Sequence, residues 1–67
     1  MAVASVSKIT AASSVSFEAA VKDGLARASK TLRGITGLHV LEEKASVHDG
    51  KIAEYRVTME VTFILEG

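Results

Sequence analysis

Few side chains in this sequence are suited to chemistry, and they are widely spaced. His39 and His48 are nine residues apart, and neither has a partner at a spacing typical of a metal site or an activated nucleophile. A catalytic site would need a titratable pair in a cleft, which two isolated histidines in a chain of 67 residues do not provide. We therefore expect both histidines to be structural and the protein not to be an enzyme.

Three glutamates and one arginine are the remaining candidates. Glu42 and Glu43 are adjacent, so a strand turns them to opposite faces and one chain cannot clamp a cation between them. With Glu60, they could meet copies from other subunits around a symmetry axis and hold a cation; the simpler interpretation is a solvated surface. For Arg56 the simpler interpretation is a salt bridge on the sheet, and the alternative is a contact to an anionic ligand or a neighbouring subunit.

The strand that must position Arg56 and Glu60 is the longest predicted element. From Tyr55 to Leu65 the odd positions are all apolar and the even ones mostly polar, which predicts a strand with one dry and one polar face. Extended back to Ile52, it would span roughly 46 Å, whereas a compact chain of this length is roughly 28 Å across. No proline or glycine marks a bend, so we expect its end to leave the subunit and the protein to be an oligomer.

Two elements are predicted before this strand, an edge strand over 2–10 and a helix over 14–32. The helix carries an apolar stripe at helical spacing, made of Phe17, Val21, Leu25, Ala28 and Leu32. Ser13 or Ser16 is suited to cap its start, and Gly34 is suited to cap its end. A second glycine, Gly24, lies inside the helix and indicates close packing, with the approach of a ligand as the alternative.

Another strand is predicted over 38–47, with residues 38–41 buried and 42–44 exposed. Asp49-Gly50, a pair favoured in tight hairpins, joins it to the last strand. The order is β-α-β-β, and the fold class is therefore α+β, a three-stranded antiparallel sheet packed on one helix. One helix cannot cover strands of this length, which again predicts neighbouring copies.

The composition is typical of a single small domain spanning residues 1–67. Because there is no cysteine, disulfides and thiolate metal sites are excluded, and so short a chain needs support from association or from a bound ion or ligand. Eight basic and eight acidic residues cancel, without the basic footprint of a nucleic-acid-binding protein. No signal-peptide or membrane-span pattern is present, and we expect a cytoplasmic protein with no membrane partner.

Taken in order, these elements resemble the dodecins. The resemblance covers nearly the whole chain and is carried by FEAA at 17–20, GLARA at 24–28, KTLR at 30–33, LHV at 38–40 and YRVTMEVTFILE at 55–66. It implies β-α-β-β subunits that assemble into a hollow homododecamer without enzymatic activity. It also implies storage or binding of a small ligand, a flavin such as riboflavin or FMN, or coenzyme A.

The same resemblance assigns two ligand positions. Flavin-binding dodecins have a tryptophan before the second strand, which stacks on the isoalloxazine ring, and a glutamine on the third strand, which hydrogen-bonds to its polar edge. Gly37 and Arg56 stand at these positions, and the chain has no tryptophan, so we expect flavin binding to be weak or absent. The tryptophan-less branch includes members described as binding calcium, which implies Ca²⁺ as an alternative, with unidentified ligands. The alternative function is a structural or protein-interaction shell without a small-molecule ligand.

Overall fold

The computed structural model describes residues 3–65. Ala2 of the predicted first strand and Glu66 of the dodecin-like segment lie outside these residues. Four elements form in the predicted order: β1 (Val3–Ser13), α1 (Phe17–Ala28), β2 (Ile35–His48) and β3 (Lys51–Leu65). β3 lies between β1 and β2 and is antiparallel to both. The predicted α+β fold, a three-stranded antiparallel sheet with one helix, is confirmed.

β3 is as long as the alternating pattern predicts. It contains 15 residues, and the described chain is elongated, with extents of 52 × 19 × 13 Å. Its odd residues Val57, Met59 and Val61 are completely buried under α1, whereas its even residues face away from the helix. The predicted dry and polar faces are therefore confirmed, and β3 supplies most of the core.

Small residues bring α1 close to the sheet. Its buried residues are Ala20, Gly24 and Ala28, so the contact is centred beside the predicted stripe, most of whose larger members are only half-buried. A Cβ atom added to Gly24 would lie 2.7 Å from the Met59 Cε atom and 3.1 Å from the Ala11 Cβ atom. The close-packing interpretation of Gly24 is confirmed, because a side chain there would have to displace the end of Met59 and crowd Ala11.

The helix is shorter at both ends than the predicted 14–32. It begins after Ser16, whose hydroxyl oxygen accepts a 2.9 Å hydrogen bond from the Ala19 N–H and caps the first turn. Ser13, the other predicted cap, instead accepts from the N–H of residue 15. The last helical residue is Ala28, and a turn follows it. The length was overestimated because the apolar stripe continues through this turn.

Gly34 has a different role from the predicted C-cap. It lies beyond the turn, with a φ of +72° that favours glycine. Its carbonyl oxygen accepts a 2.9 Å hydrogen bond from the Ile64 N–H, and an added Cβ atom would lie 3.3 Å from the Ile64 carbonyl oxygen. Gly34 therefore attaches the chain entering β2 to the far end of β3, and the prediction of a helix cap is wrong.

The predicted burial of the first part of β2 is half right. Leu38 and Val40 are half-buried against the core, but His39 and Leu41 are exposed. His39 lies between two inward-facing residues and therefore points to the opposite face. Leu41 lies in a β-bulge between Val40 and Glu42, which interrupts the alternation.

The hairpin between β2 and β3 is the predicted one. Asp49 and Gly50 have φ angles of 51° and 74°, and two positive φ values define the type I′ turn that suits antiparallel strands. The strand ends differ from prediction by a few residues, since β1 continues to Ser13 and β2 already starts at Ile35. The local turn signal therefore fixed the pairing of β2 with β3.

One ion pair with i,i+4 spacing forms on the exposed surface of α1. The Lys22 ammonium lies 2.9 Å from the Glu18 carboxylate, and this hydrogen bond and charge lower the pKa of Glu18 below its usual value. Because the folded pKa is lowered, the small stabilisation is present above the unfolded pKa and is lost as pH falls. Asp23 and Arg27 have the same spacing and opposite charges, but they do not lie within ion-pair distance in the described residues.

Replacing Gly24 tests the contact between helix and sheet. We expect Gly24→Val to lower the free energy of unfolding by about 1–3 kcal/mol, because the added side chain must displace Met59 and Ala11. The matched control is Ala26→Val on the exposed side of α1, which should cost no more than about 0.7 kcal/mol in helix propensity. Denaturant unfolding at one fixed protein concentration measures both; equal losses would contradict the close contact.

Candidate functional site

The face of the sheet opposite α1, here called the outer face, is not covered by any described part of the chain. Paired residues of neighbouring strands share a face, so the register groups its side chains into rows across β1, β3 and β2. These rows are Val6, Thr62 and Gly37; Lys8, Glu60 and His39; Thr10, Thr58 and Glu42; and Ala12, Arg56 and Lys44. Both positions that the dodecin resemblance assigns to a ligand, Gly37 and Arg56, therefore lie on the outer face.

Gly37 leaves an open place on this face. It is exposed, and a Cβ atom built on it would meet no other atom within 4 Å. Its backbone is not in the left-handed region, so a residue with a side chain could adopt the same conformation. The position can therefore accept a large side chain, and glycine is not required there by the fold.

Arg56 is held by a neighbouring carboxylate. Its Nη2 atom donates a 2.6 Å hydrogen bond to Oε1 of Glu54, two residues earlier on the same face. The default interpretation of Arg56, a salt bridge on the sheet surface, is confirmed. Lys44 stands opposite Arg56 and is in turn paired with Glu42 at 3.0 Å. A shallow cleft of about 230 Å³ lies among Lys44, Glu54 and Arg56.

The fold does not bring Gly37 and Arg56 together within one subunit. Gly37 is paired with Thr62, which lies six residues from Arg56 along β3. At about 3.3 Å per residue, the two positions are roughly 20 Å apart on the same face. One ring system bound to one copy cannot contact both positions.

A titratable row crosses the centre of the outer face. Glu60 stands between Lys8 of β1 and His39 of β2 in the register. The His39 Nδ1 atom is 3.9 Å from the Glu60 carboxylate, too long for a hydrogen bond, and 74% of the His39 side chain is exposed. His39 was expected to be buried; the alternation of Leu38 and Val40 around it is the signal that could have revealed it.

The other candidates of the sequence analysis are dispersed. Glu42 is paired with Thr58 and Glu43 with Val57, which confirms that the two carboxylates point to opposite faces. His48 is exposed in the hairpin, where its Nε2 atom is 3.4 Å from a carboxylate oxygen of Asp49. Residues 3–65 contain no group of three potential metal ligands.

Comparison with known proteins identifies the family. The dodecin family model matches residues 3–66 of this chain. The chain belongs to the dodecin family. A curated dodecin of Thermus thermophilus is 42% identical over 50 residues, which cover 75% of this chain and 72% of that protein. The predicted membership of the dodecin family is thus confirmed.

Solved dodecin structures share the whole fold. An arginine-to-alanine variant of the Thermus thermophilus dodecin superposes with a TM-score of 0.95 at 34% identity and covers 100% of both chains. The calcium dodecin of Mycobacterium tuberculosis, described as a calcium-chelating antigen with a novel calcium-binding site, has a TM-score of 0.82 at 32% identity and covers 96% of this chain and 91% of that one. In the described residues, no helix has the length and hydropathy for crossing a membrane.

Proposed function

We propose that this dodecin is a homododecameric binding and storage protein, without enzymatic activity, whose small ligand lies between subunits. The observation that carries the proposal is the separation of Gly37 and Arg56 on the uncovered outer face. Positions roughly 20 Å apart can serve one ligand only when different copies contribute them. The outer faces of neighbouring copies are therefore the proposed walls of the site, in a shell formed by the single domain of residues 1–67.

The exposed apolar surface supports assembly. Large apolar side chains of the sheet remain exposed: Val3, Val6, Leu41, Val47, Ile52 and Leu65 are 42–66% exposed. A chain of 67 residues has a marginal core, and neither a disulfide nor a cluster of metal ligands within residues 3–65 supplements it. Burial against other copies would remove this surface from water and stabilise each subunit.

Weak flavin binding follows from the two altered positions. Gly37 offers no aromatic ring for stacking, and the guanidinium of Arg56 already donates to Glu54. Arginine also has no acceptor, so it cannot reproduce the two-sided hydrogen bonding of a glutamine amide. Riboflavin or FMN should therefore bind this dodecin weakly or not at all, and coenzyme A is the other family ligand.

Calcium is the proposed alternative ligand. The Mycobacterium tuberculosis relative is named for calcium binding, and here Glu42 and Glu60 lie in adjacent rows of the outer face. Because Ca²⁺ takes six to eight oxygen ligands, these carboxylates would have to converge with those of other copies. If neither a flavin, coenzyme A nor calcium binds, the alternative function is a structural or protein-interaction shell without a ligand. The proposed protein is cytoplasmic, and its zero net charge supports the absence of a nucleic-acid or membrane-surface partner.

The first experiment measures the assembly and its ligand together. Light scattering of the purified protein should give twelve times the 7.0 kDa mass of one chain. Riboflavin at micromolar concentration should keep its fluorescence when the protein is added, because no ring stacks on it. A single-chain mass would contradict the shell, and strong quenching would contradict the impaired flavin site. Elemental analysis and denaturing mass spectrometry then distinguish a ligand-binding shell from a purely structural one, because a purely structural shell yields no stoichiometric ion or small molecule.

Restoring an aromatic ring at position 37 tests the site itself. We expect Gly37→Trp to fold normally, since its Cβ atom meets nothing within 4 Å, and to lower the riboflavin Kd about tenfold or more. Each stacked ring pair contributes roughly 0.5–1.5 kcal/mol beyond its buried area. Fluorescence titration gives the Kd. The matched control is Gly37→Leu, which adds apolar area without a ring and should leave binding weak; equal gains from both variants would argue against stacking.

A further inference from the structure

A histidine and a carboxylate stand opposite each other at the centre of the outer face. His39 of β2 is paired with Glu60 of β3, and the His39 Nδ1 atom lies 3.9 Å from a Glu60 carboxylate oxygen. Because neighbouring strands hold the two residues, the sheet and not a loop sets their separation. An imidazole nitrogen together with a carboxylate oxygen is a donor set that suits Zn²⁺ and related transition-metal ions.

The separation of these two donors is close to that in a zinc site. With Zn–N and Zn–O bonds of about 2.0–2.2 Å at a tetrahedral angle, the nitrogen and the oxygen are about 3.4 Å apart. The observed 3.9 Å must therefore shorten by roughly 0.5 Å around an ion. The side chains are free to do so, because 74% of the His39 side chain and 40% of the Glu60 side chain are exposed.

Neither donor is engaged by another side chain within residues 3–65. The distance between them is too long for a hydrogen bond, and the side-chain hydrogen bonds of this part of the chain involve neither residue. Lys8 stands on the other side of Glu60 in the register but does not lie within ion-pair distance of it. The ammonium of Lys8 therefore opposes a bound cation without occupying the carboxylate.

The hairpin contains a second pair of the same kind. The His48 Nε2 atom is 3.4 Å from a carboxylate oxygen of Asp49. These residues are adjacent at the turn, and their side chains are 83% and 89% exposed. Ordering both of them around an ion costs more side-chain entropy than ordering the pair on the sheet, whose glutamate is already half-buried. The hairpin pair is therefore a matched control with the same donors but without the fixed geometry.

We propose that His39 and Glu60 of each copy bind one transition-metal ion of the Zn²⁺ type, with water in the remaining coordination positions. Residues 3–65 contain no group of three potential ligands, so the site is open and binds more weakly than a closed structural zinc site. Both ligands belong to one chain, and the inference therefore does not depend on the proposed assembly. The imidazole also separates this site from a calcium site, because Ca²⁺ takes oxygen ligands.

Calorimetric titration of Zn²⁺ into the protein, purified without a histidine tag, tests the site. We expect saturable binding of one ion per chain. His39→Gln and Glu60→Gln should each raise the Kd at least about tenfold, because losing a ligand costs no less than losing a group that supports one. The control His48→Gln should leave the Kd unchanged, and Ca²⁺ at the same concentration should not displace Zn²⁺. Far-UV circular dichroism checks that each variant is folded.

The outcomes separate this inference from the proposed function. Absence of saturable Zn²⁺ binding, or an unchanged Kd in His39→Gln or Glu60→Gln, overturns the site. A loss of binding in His48→Gln assigns the ion to the hairpin and also overturns it. Equal competition by Ca²⁺ overturns the choice of a transition metal. A single-chain mass in light scattering contradicts the shell but leaves the metal site standing.

Two variants that should tighten binding supply a readout that a folding defect cannot imitate. Gly37 lies two residues before His39 on the same face, and a Cβ atom there meets nothing within 4 Å. Gly37→His therefore sets two imidazoles side by side along β2, and we expect the Zn²⁺ Kd to fall at least about tenfold. Lys8→Gln removes a positive charge beside Glu60 and should lower the Kd by up to roughly fivefold. An unchanged Kd in Gly37→His, or a raised one in Lys8→Gln, overturns the placement of the ion between His39 and Glu60.

Discussion

The length difference between α1 and β3 is the constraint on which the rest of the structure depends. A helix of 12 residues is about 18 Å long, whereas a strand of 15 residues is about 50 Å long. The helix therefore buries only the middle of β3, and Val57, Met59 and Val61 are its completely buried large side chains. Gly24 makes this short contact effective, because it lets the helix backbone approach Met59. The parts of β3 beyond this middle section must be polar or be buried against another surface.

The outer face of the sheet and the tip of the β2–β3 hairpin are both left uncovered by α1, but they differ in polarity. On the outer face, Glu42 with Lys44 and Glu54 with Arg56 form paired charges, and such a surface stays hydrated without a cover. At the tip of the β2–β3 hairpin, in contrast, the apolar side chains of Val47 and Ile52, which are paired across the two strands, are exposed. Exposed ion pairs contribute little stability, so their effect is to keep the outer face wet and accessible. The subunit thus separates a polar face, suited to a ligand, from apolar ends suited to other copies.

Sequence reasoning was accurate where structure is local. The alternation along β3 and the Asp49-Gly50 turn each predict their structure within a few residues. It failed where tertiary contacts determine the local structure. The sequence around Gly34 is typical of a helix cap, but the Gly34 carbonyl oxygen accepts a hydrogen bond from the Ile64 N–H. The exposure of Leu41 depends on a β-bulge, which only the pairing of two strands reveals. Likewise, the family resemblance assigned Gly37 and Arg56 as ligand positions, but the distance between them follows only from the strand register.

Compared with the tryptophan and glutamine of flavin-binding dodecins, Gly37 and Arg56 would both weaken the binding of an uncharged ring in the proposed site. Glycine offers no stacking surface, and the Nη2 group of Arg56 already donates a 2.6 Å hydrogen bond to Glu54. Lys44 stands directly opposite Arg56, so release of Glu54 would leave two cations facing each other, which is unfavourable. A neutral ligand edge would have to compete with a charged acceptor for the Nη2 group of Arg56, and charge-assisted hydrogen bonds are the stronger ones. In the proposed function, the ion pairs that keep the outer face hydrated would therefore also oppose the binding of an uncharged flavin ring.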